Sequence, residues 1–260
     1  MTSRFLVTGG TGTLGRHVVP MLREAGGKMR ILSRHGHPPE EDVEYVTGDL
    51  LKGEGIEPAV DGVEIIVHLA GGPKGDDVAT ANLMRVATRA GVRHVVYISV
   101  VGADRIPVGY FQAKLGAERA IIGSGLPWTT LRATQFHDLV LKVAGAVAKL
   151  PVTPVPSGFR VQPIDAGEVA ARVVELSLGE PSGLVEDVAG PRIYETAELM
   201  RSYLAAAGRR RPIVPVRLPG KAARIFREGA NLAPDRAVGH RTWEEFLAER
   251  SRTVAGQPLR

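Results

Sequence analysis

Phe5-Leu-Val-Thr-Gly-Gly-Thr-Gly-Thr-Leu-Gly15 is an apolar run that ends in closely spaced glycines. Gly10, Gly12 and Gly15 fit the spacing G-x-G-x-x-G, and Thr8 with Gly9, Gly12 and Gly15 fits the related T-G-x-x-G-x-x-G. In a strand–turn–helix, one such glycine permits the tight turn, a second lets a pyrophosphate approach the backbone, and a third lets the helix pack closely on the strand. From Thr13 onward, Leu14, Val18, Val19 and Leu22 recur at helical spacing, so free N–H groups and the positive end of a helix dipole are expected to face that pyrophosphate. The stretch therefore predicts a dinucleotide site over Thr8, Gly9, Gly10, Thr11, Gly12, Thr13, Leu14 and Gly15, against the alternative of an ordinary glycine-rich turn.

The end of the second strand gives the next expectation. Lys28–Ser33 reads as that strand, and there an NAD site usually places an acidic residue for the ribose 2′-hydroxyl. The chain instead has Ser33-Arg34, a hydroxyl and a guanidinium suited to a 2′-phosphate. NADP(H) is thus the expected cofactor, with NAD(H) as the alternative. His35 and His37 precede Glu40, Glu41 and Asp42, but nothing in their spacing fixes a ligand geometry, and no metal is expected.

Composition bounds the remaining classes. The chain has 260 residues, 44% hydrophobic and 23% charged, enough to bury a substantial core. The absence of cysteine excludes disulfides, iron–sulfur clusters and thiol catalysis, and agrees with a cytoplasmic location. No signal-peptide layout is read, and the longest uncharged run, Ala120 to Leu131, has 12 residues, too few to span a membrane. The net charge of +5 is spread along the chain apart from Arg209-Arg210-Arg211, and aromatics make up only 5%. A nucleic-acid site calls for a patterned basic face with interleaved aromatics, so neither a nucleic-acid nor a membrane partner is expected. The arginine cluster reads as a solvated charge run.

Strand-like runs at Phe5–Thr8, Met29–Ser33, Val43–Val46, Glu64–Leu69, Val92–Ser99 and Trp128–Leu131 alternate with helical patterns near 13–25, 77–90 and 110–124. That alternation predicts an α/β fold, a Rossmann-type doubly wound parallel sheet, with its ligand beyond the carboxyl ends of the strands. Residues 1–150 form the expected cofactor domain and 151–260 a smaller C-terminal, substrate-side lobe. Pro151–Gly158 reads as a stiff, turn-rich connection between them. Asp165 with Glu168, and Thr242 with Glu245, mark two later helix starts.

Tyr110 and Lys114 lie four apart at the start of a helical stretch and share a face. Tyrosine has an ordinary pKa of about 10, and a neighbouring ammonium stabilises its phenolate. Tyr110 is therefore the expected proton donor, and Lys114 the residue that lowers its pKa and holds the nicotinamide ribose. Ser99, ending the fifth strand, is expected to hold a substrate carbonyl oxygen. The alternative is that Tyr110 packs and Lys114 only grips the ribose.

Together Thr8–Gly15, Gly48-Asp49-Leu50, His68-Leu69-Ala70, Tyr97-Ile-Ser99, Tyr110-x-x-x-Lys114 and Ser124-Gly-Leu-Pro-Trp-Thr-Thr-Leu-Arg132 resemble the atypical short-chain dehydrogenase/reductase superfamily, and within it the NmrA-like NAD(P)H-binding branch. The resemblance implies Asp49 and Leu50 near adenine, Leu69, Ala70 and Gly71 along the ribose and pyrophosphate, and Ala133 to Phe136 beside nicotinamide. It offers His137 and Phe136 either to the substrate cleft or to packing at a helix start. Ten residues separate Ser99 from Tyr110, a short gap for a serine–tyrosine pair of that superfamily. The activity implied is hydride transfer from NADP(H) to a small, apolar carbonyl or quinone-type acceptor, so the expected partner is a small-molecule substrate. Two alternatives remain: a non-catalytic NADP(H)-sensing regulator with a protein partner, and, last, a nucleotide-sugar epimerase.

Overall fold

Four successive residues of β1 (Arg4–Thr8) are buried, Phe5 to Thr8, as a strand covered by helices on both faces requires. The computed structural model describes residues 3–38, 40 and 42–253. β1 sits inside a seven-stranded sheet formed with β2 (Lys28–Ser33), β3 (Val43–Thr47), β4 (Ile65–His68), β5 (His94–Val100), β6 (Trp128–Ala133) and the two-residue β9 (Gly183–Leu184). The order is β3-β2-β1-β4-β5-β6-β9. β1 pairs in parallel with β2 and β4, β2 with β3, and β4 with β5, so the polarity is that of a doubly wound sheet. Order reverses between β1 and β4. Thr8, Ser33, His68 and Ser99 consequently stand at or next to the carboxyl ends of β1, β2, β4 and β5.

Crossover helices account for the buried faces. α1 (Gly15–Glu24) buries Val18 and Leu22, α3 (Asp76–Ala90) buries Leu83, Met84 and Val86, and α4 (Gly109–Gly123) buries Phe111, Ala117 and Ile121. A short α2 (Ile56–Val60), not anticipated from the sequence, packs on β2 and α3 and adds Ile56 and Val60 to the core cluster that contains Leu32 and Leu83. Five residues cannot sustain an isolated helix. The α2 end is held instead by Arg30 of β2, whose Nη1 donates to the carbonyls of Pro58, Ala59 and Asp61 at 3.0, 3.2 and 2.7 Å.

Two compact units are distinguished: Met1–Arg132 with Gly167–Glu186, and Ala133–Ala166 with Asp187–Arg260. The sequence division near residue 150 leaves α6 (Ala166–Leu178) in the later lobe. From Gly167 onward it groups with the sheet.

The second unit holds α5 (His137–Val147), β7 (Thr153–Pro156), β8 (Arg160–Val161), β10 (Tyr194–Glu195), α7 (Thr196–Ala206), β11 (Ile213–Val216), α8 (Lys221–Arg227) and α9 (Trp243–Thr253). Its core gathers Tyr194, Leu199, Tyr203, Trp243 and Phe246. One expectation needs correction here: Pro151–Gly158 contains a strand, β7, rather than only a turn-rich connection. β7 pairs in parallel with β11 because its donors alternate. Thr153 and Ser157 donate to the carbonyls of Pro212 and Val216, both at 2.9 Å, so Pro154 and Pro156 turn their missing N–H groups to the outer side, where a ladder loses nothing. The second predicted helix start is present in full: Thr242 N and Oγ1 each donate to Glu245 Oε2 at 2.8 Å, and Glu245 N donates to Thr242 Oγ1 at 3.3 Å.

Candidate functional site

The glycine turn is built by close backbone approach. Gly9 has φ +72°, and a Cβ there would lie 2.6 Å from the Ala70 amide nitrogen. A Cβ on Gly15 would overlap the carbonyl oxygens of Gly9 and Gly10. Glycine is therefore required at Gly9 by the close approach of the Leu69–Ala70 backbone and at Gly15 by packing within the turn itself. Gly12 N–H closes the turn on Gly9 O at 3.0 Å, while the amides of Thr13 and Leu14 have no acceptor among the described residues. Such free amides at the start of a helix form an anion cradle. Thr11, Gly12 and Thr13 border that opening, whereas Gly10 and Leu14 are buried, Gly10 against the Ile31 side chain.

Thr8 faces the other way. It is 1% exposed, and its hydroxyl lies 2.6 Å from His68 Nδ1 while accepting from the Ala70 amide at 3.3 Å. His68 Nε2 is 2.9 Å from Thr80 Oγ1, and Thr80 donates to the Asp76 carbonyl at 2.6 Å. With the Thr80 proton committed, its oxygen accepts from Nε2–H, leaving Nδ1 to accept the Thr8 proton. This fixes a neutral His68, whose pKa falls to about 3 through burial and the nearby Lys114 charge. Thr8 thus anchors β1 to β4 and offers no hydroxyl to a phosphate.

At the end of β2, Ser33 Oγ is 3.0 Å from His37 Nε2 and accepts the His35 amide at 3.3 Å. His37 stacks on Tyr45 at 4.6 Å, which orders the loop around the exposed Arg34. Of the His/Glu/Asp group weighed as metal ligands, Glu41 lies outside the described residues. Gly48 N–H donates to Ser33 O at 2.9 Å and brings Asp49 to the same edge. Asp49 Oδ1 accepts the amides of Leu51 and Lys52 at 2.9 and 3.4 Å, and Leu50 is buried. Asp49 and Leu50 therefore shape their own turn beside the adenine end of the expected site.

Around Lys114 the structure differs from the expected tyrosine–lysine couple. Lys114 is 5% exposed, and its Nζ lies 3.0 Å from Asp76 Oδ2, with 7% exposure for each side chain. Asp76 Oδ1 accepts the Gly72 amide at 2.7 Å, and a Cβ on Gly71 would come within 2.8 Å of Lys114 Nζ. The ammonium also sits 5.2 Å from the Tyr97 ring centroid, and Tyr97 in turn stacks on His68. Lys114 is thus locked against the Leu69–Gly72 loop, where Leu69 and Ala70 are half-buried and Gly71 is exposed. Tyr110, half-buried on the first turn of α4, has its pKa raised by burial and by the Asp76 charge, the reverse of the lowering expected from Lys114. Burial also pushes the Tyr97 hydroxyl up. Ser99 is 5% exposed and its Oγ has no hydrogen-bond partner among the described residues, a buried hydroxyl at the carboxyl edge of β5.

One more element of this wall escaped the sequence reading. Arg132, ending the motif Trp128–Arg132, donates through Nε and Nη2 to Glu118 at 2.9 and 2.7 Å and meets Asp104 at 3.2 Å. Glu118 lies four residues beyond Lys114 on α4, so this bidentate pair ties the helix carrying Tyr110 and Lys114 to β6. The spacing Lys114–Glu118 was its only signal.

In the second unit, Ala133 is buried and Phe136 half-buried, the latter immediately before α5. His137 is fully buried, stacked on Phe246 at 4.9 Å and near Trp243 at 6.0 Å, with neither ring nitrogen hydrogen-bonded among the described residues. Burial lowers its pKa to about 4. The packing alternative holds for His137, and it offers no group to a cleft.

Comparisons with known proteins fit this geometry. A family model described as NAD(P)H-binding matches residues 9–177. The NAD(P)H azoreductase of Xenophilus azovorans is 29% identical over 214 residues, 78% of this chain and 74% of that protein. The (4-alkanoyl-5-oxo-2,5-dihydrofuran-3-yl)methyl phosphate reductase of Streptomyces griseus subsp. griseus is 30% identical over 210 residues, 75% of this chain and 72% of that protein. Among solved structures, the NADPH complex of an NADPH-dependent quinone oxidoreductase from Escherichia coli shares the fold, with TM-score 0.78, 18% identity and coverage of 95% of this chain and 99% of that one.

Proposed function

This chain belongs to the NAD(P)H-binding family, in the NmrA-like branch of the atypical short-chain dehydrogenases/reductases, and from that premise we propose that it is an NADP(H)-dependent oxidoreductase reducing a small, apolar carbonyl or quinone-type acceptor. The glycine turn carries this reading, because Gly9 and Gly15 tolerate no Cβ and the amides beside them are free for a pyrophosphate. NADP(H), when bound, supplies the hydride. The azoreductase and quinone oxidoreductase names of its relatives support an acceptor of the same kind.

Each protein group has a role in this scheme. Arg34, exposed at the end of β2 beside Ser33, binds the 2′-phosphate and confers preference for NADP(H). Lys114, held by Asp76 against Gly71, donates to ribose hydroxyls. The free Ser99 hydroxyl orients the acceptor oxygen, and Tyr110, kept protonated by burial and Asp76, donates the proton that completes carbonyl reduction to the alcohol. Loss of Tyr110 in Tyr110→Phe is expected to lower kcat with carbonyl acceptors by roughly 100-fold or more while leaving the Kd for NADPH unchanged. Equal kcat in wild type and variant with aldehydes and ketones overturns the assignment of Tyr110.

A specific observation favours a second reading of the same pocket. The Lys114 charge is spent on Asp76, so no group lowers the Tyr110 pKa, and an acceptor that needs only a positioned hydride, such as a quinone or azo compound, suits the site without tyrosine assistance. Turnover of quinones by Tyr110→Phe at the wild-type rate, beside lost ketone reduction, selects this reading. Tight NADPH binding with no turnover of either class selects a cofactor-sensing regulator.

A further inference from the structure

Away from the glycine edge, the second unit carries a charge pattern that hydride transfer does not use. Residues 199–227 hold eight Lys and Arg and no Asp or Glu, and residues 139–164 hold three and none. With 28 acidic residues in 260, about six would be expected in those 55 positions. Parallel pairing of β7 with β11 brings the two segments together: Thr153 N–H donates to Pro212 O at 2.9 Å, and Arg209 donates to Ala148 O at 3.4 Å. Lys149 to Val152 therefore run beside Arg209 to Pro212.

Arg201, Arg209, Arg210 and Arg211 line a depression of about 570 Å³ whose remaining walls are Leu204, Ala205, Pro212 and Ile213. Among the described residues, none of these four arginines, nor Arg217, has a carboxylate partner. Large apolar side chains stand exposed on the same segments: Leu150 at 46%, Val152 at 41%, Val214 at 44%, Val216 at 40% and Leu218 at 40%. Exposed leucine and valine interleaved with guanidinium groups that no described carboxylate neutralises form a surface with both an apolar and a cationic component.

We propose that this face docks the protein peripherally on an anionic phospholipid surface. Phosphodiester headgroups take guanidinium donors without a fixed register, and the valine and leucine side chains enter the headgroup–acyl boundary. Nucleic acid is disfavoured because, among the described residues, the face presents no free stacking aromatic: Tyr203 is buried and Phe226 is stacked on Phe159 at 5.2 Å. Addition of a strand from another protein is disfavoured because Pro215 removes a donor from the free side of β11, Val214 and Val216 being the residues that face β7. No described helix is long and apolar enough to cross a membrane, so the contact is confined to the surface. The expectation of no membrane partner rested on span length and on reading Arg209–Arg211 as a solvated run; β7–β11 pairing, invisible in the sequence, sets those arginines beside the apolar side chains.

Co-sedimentation of the full-length protein with phosphatidylcholine vesicles, with and without phosphatidylglycerol, tests the proposal. The protein is expected to sediment with the phosphatidylglycerol vesicles only, and to be released by high salt. The triple variant Arg209→Gln, Arg210→Gln, Arg211→Gln is expected to lose roughly a hundredfold in partition coefficient, and Val214→Ser with Leu218→Ser a smaller part. All these positions are half-buried or exposed, and an unchanged unfolding midpoint checks that the variants fold. Failure of the wild type to sediment with phosphatidylglycerol, or unchanged binding by both variants, overturns it. Displacement from the vesicles by duplex DNA at lower concentration overturns it in favour of a nucleic-acid surface.

Discussion

Removal of the Asp76 carboxylate in Asp76→Ala strands the Lys114 ammonium in a site where each side chain is 7% exposed. At 3.0 Å and an effective dielectric constant of about 20, the attraction between the two charges is about 5–6 kcal/mol, and most of it offsets the desolvation of both groups. The intact pair thus contributes little net stability, but the broken pair leaves an uncompensated buried charge, which costs about 3–5 kcal/mol. The Gly72 amide loses its acceptor as well. Asp76→Ala is therefore expected to destabilise by about 4 kcal/mol in urea unfolding, with the slope m unchanged. Removing both charges in Asp76→Ala with Lys114→Met relieves the stranded ammonium, so the double variant should be more stable than Asp76→Ala alone by about 2 kcal/mol or more. Unfolding midpoints of the wild type, both single variants and the double variant close the cycle. If the double variant is destabilised by the sum of the two single costs to within about 0.5 kcal/mol, the charges are not coupled and the locked-lysine geometry is refuted.

Acid should loosen the protein through two histidines buried neutral. His68, with its pKa lowered to about 3, and His137, lowered to about 4, take up protons in the unfolded chain below about pH 6.5 but not in the folded one. Stability then falls as pH drops from 6.5, by about 2 kcal/mol per histidine at pH 5, and His68→Gln or His137→Leu should each flatten that slope in urea titrations; an unchanged slope in both contradicts the burial account. Gly15→Ala, whose Cβ would overlap the Gly9 and Gly10 carbonyls, should weaken NADPH binding at least tenfold in fluorescence titration, and wild-type affinity would mean that the turn does not hold the cofactor. Arg34→Ala should lose most of any preference for NADPH over NADH, about 10-fold or more, while NADH affinity stays constant; retained preference places 2′-phosphate recognition elsewhere.

The sheet was readable because its strands are continuous apolar runs and Gly15 is demanded by backbone only five and six residues earlier in the same turn. Phe5–Val7 and Val95–Val96 carry that signal alone, and Thr242–Glu245 announces α9 through local hydrogen bonds. What escaped depends on partners distant in sequence. α2 exists because Arg30, nearly thirty residues earlier, satisfies its last carbonyls. β7 reads in sequence as a proline-rich connection because the partner that makes it a strand, β11, lies sixty residues on. At the site, the spacing of Tyr110 and Lys114 placed both on one helix face, but it could not show that Asp76 claims the ammonium or that Thr8 turns inward to His68. A tyrosine pKa is set by burial and by charges on other elements, and here those raise it.

Hydride transfer itself is tested most directly by following NADPH oxidation at 340 nm with the purified protein and a panel of quinones, aldehydes and ketones, with NADH in parallel. The account predicts acceptor-dependent oxidation of NADPH, faster at equal concentration than that of NADH, for at least one apolar member of the panel. NADPH bound tightly yet not oxidised with any acceptor contradicts it and makes the glycine turn the seat of a sensor.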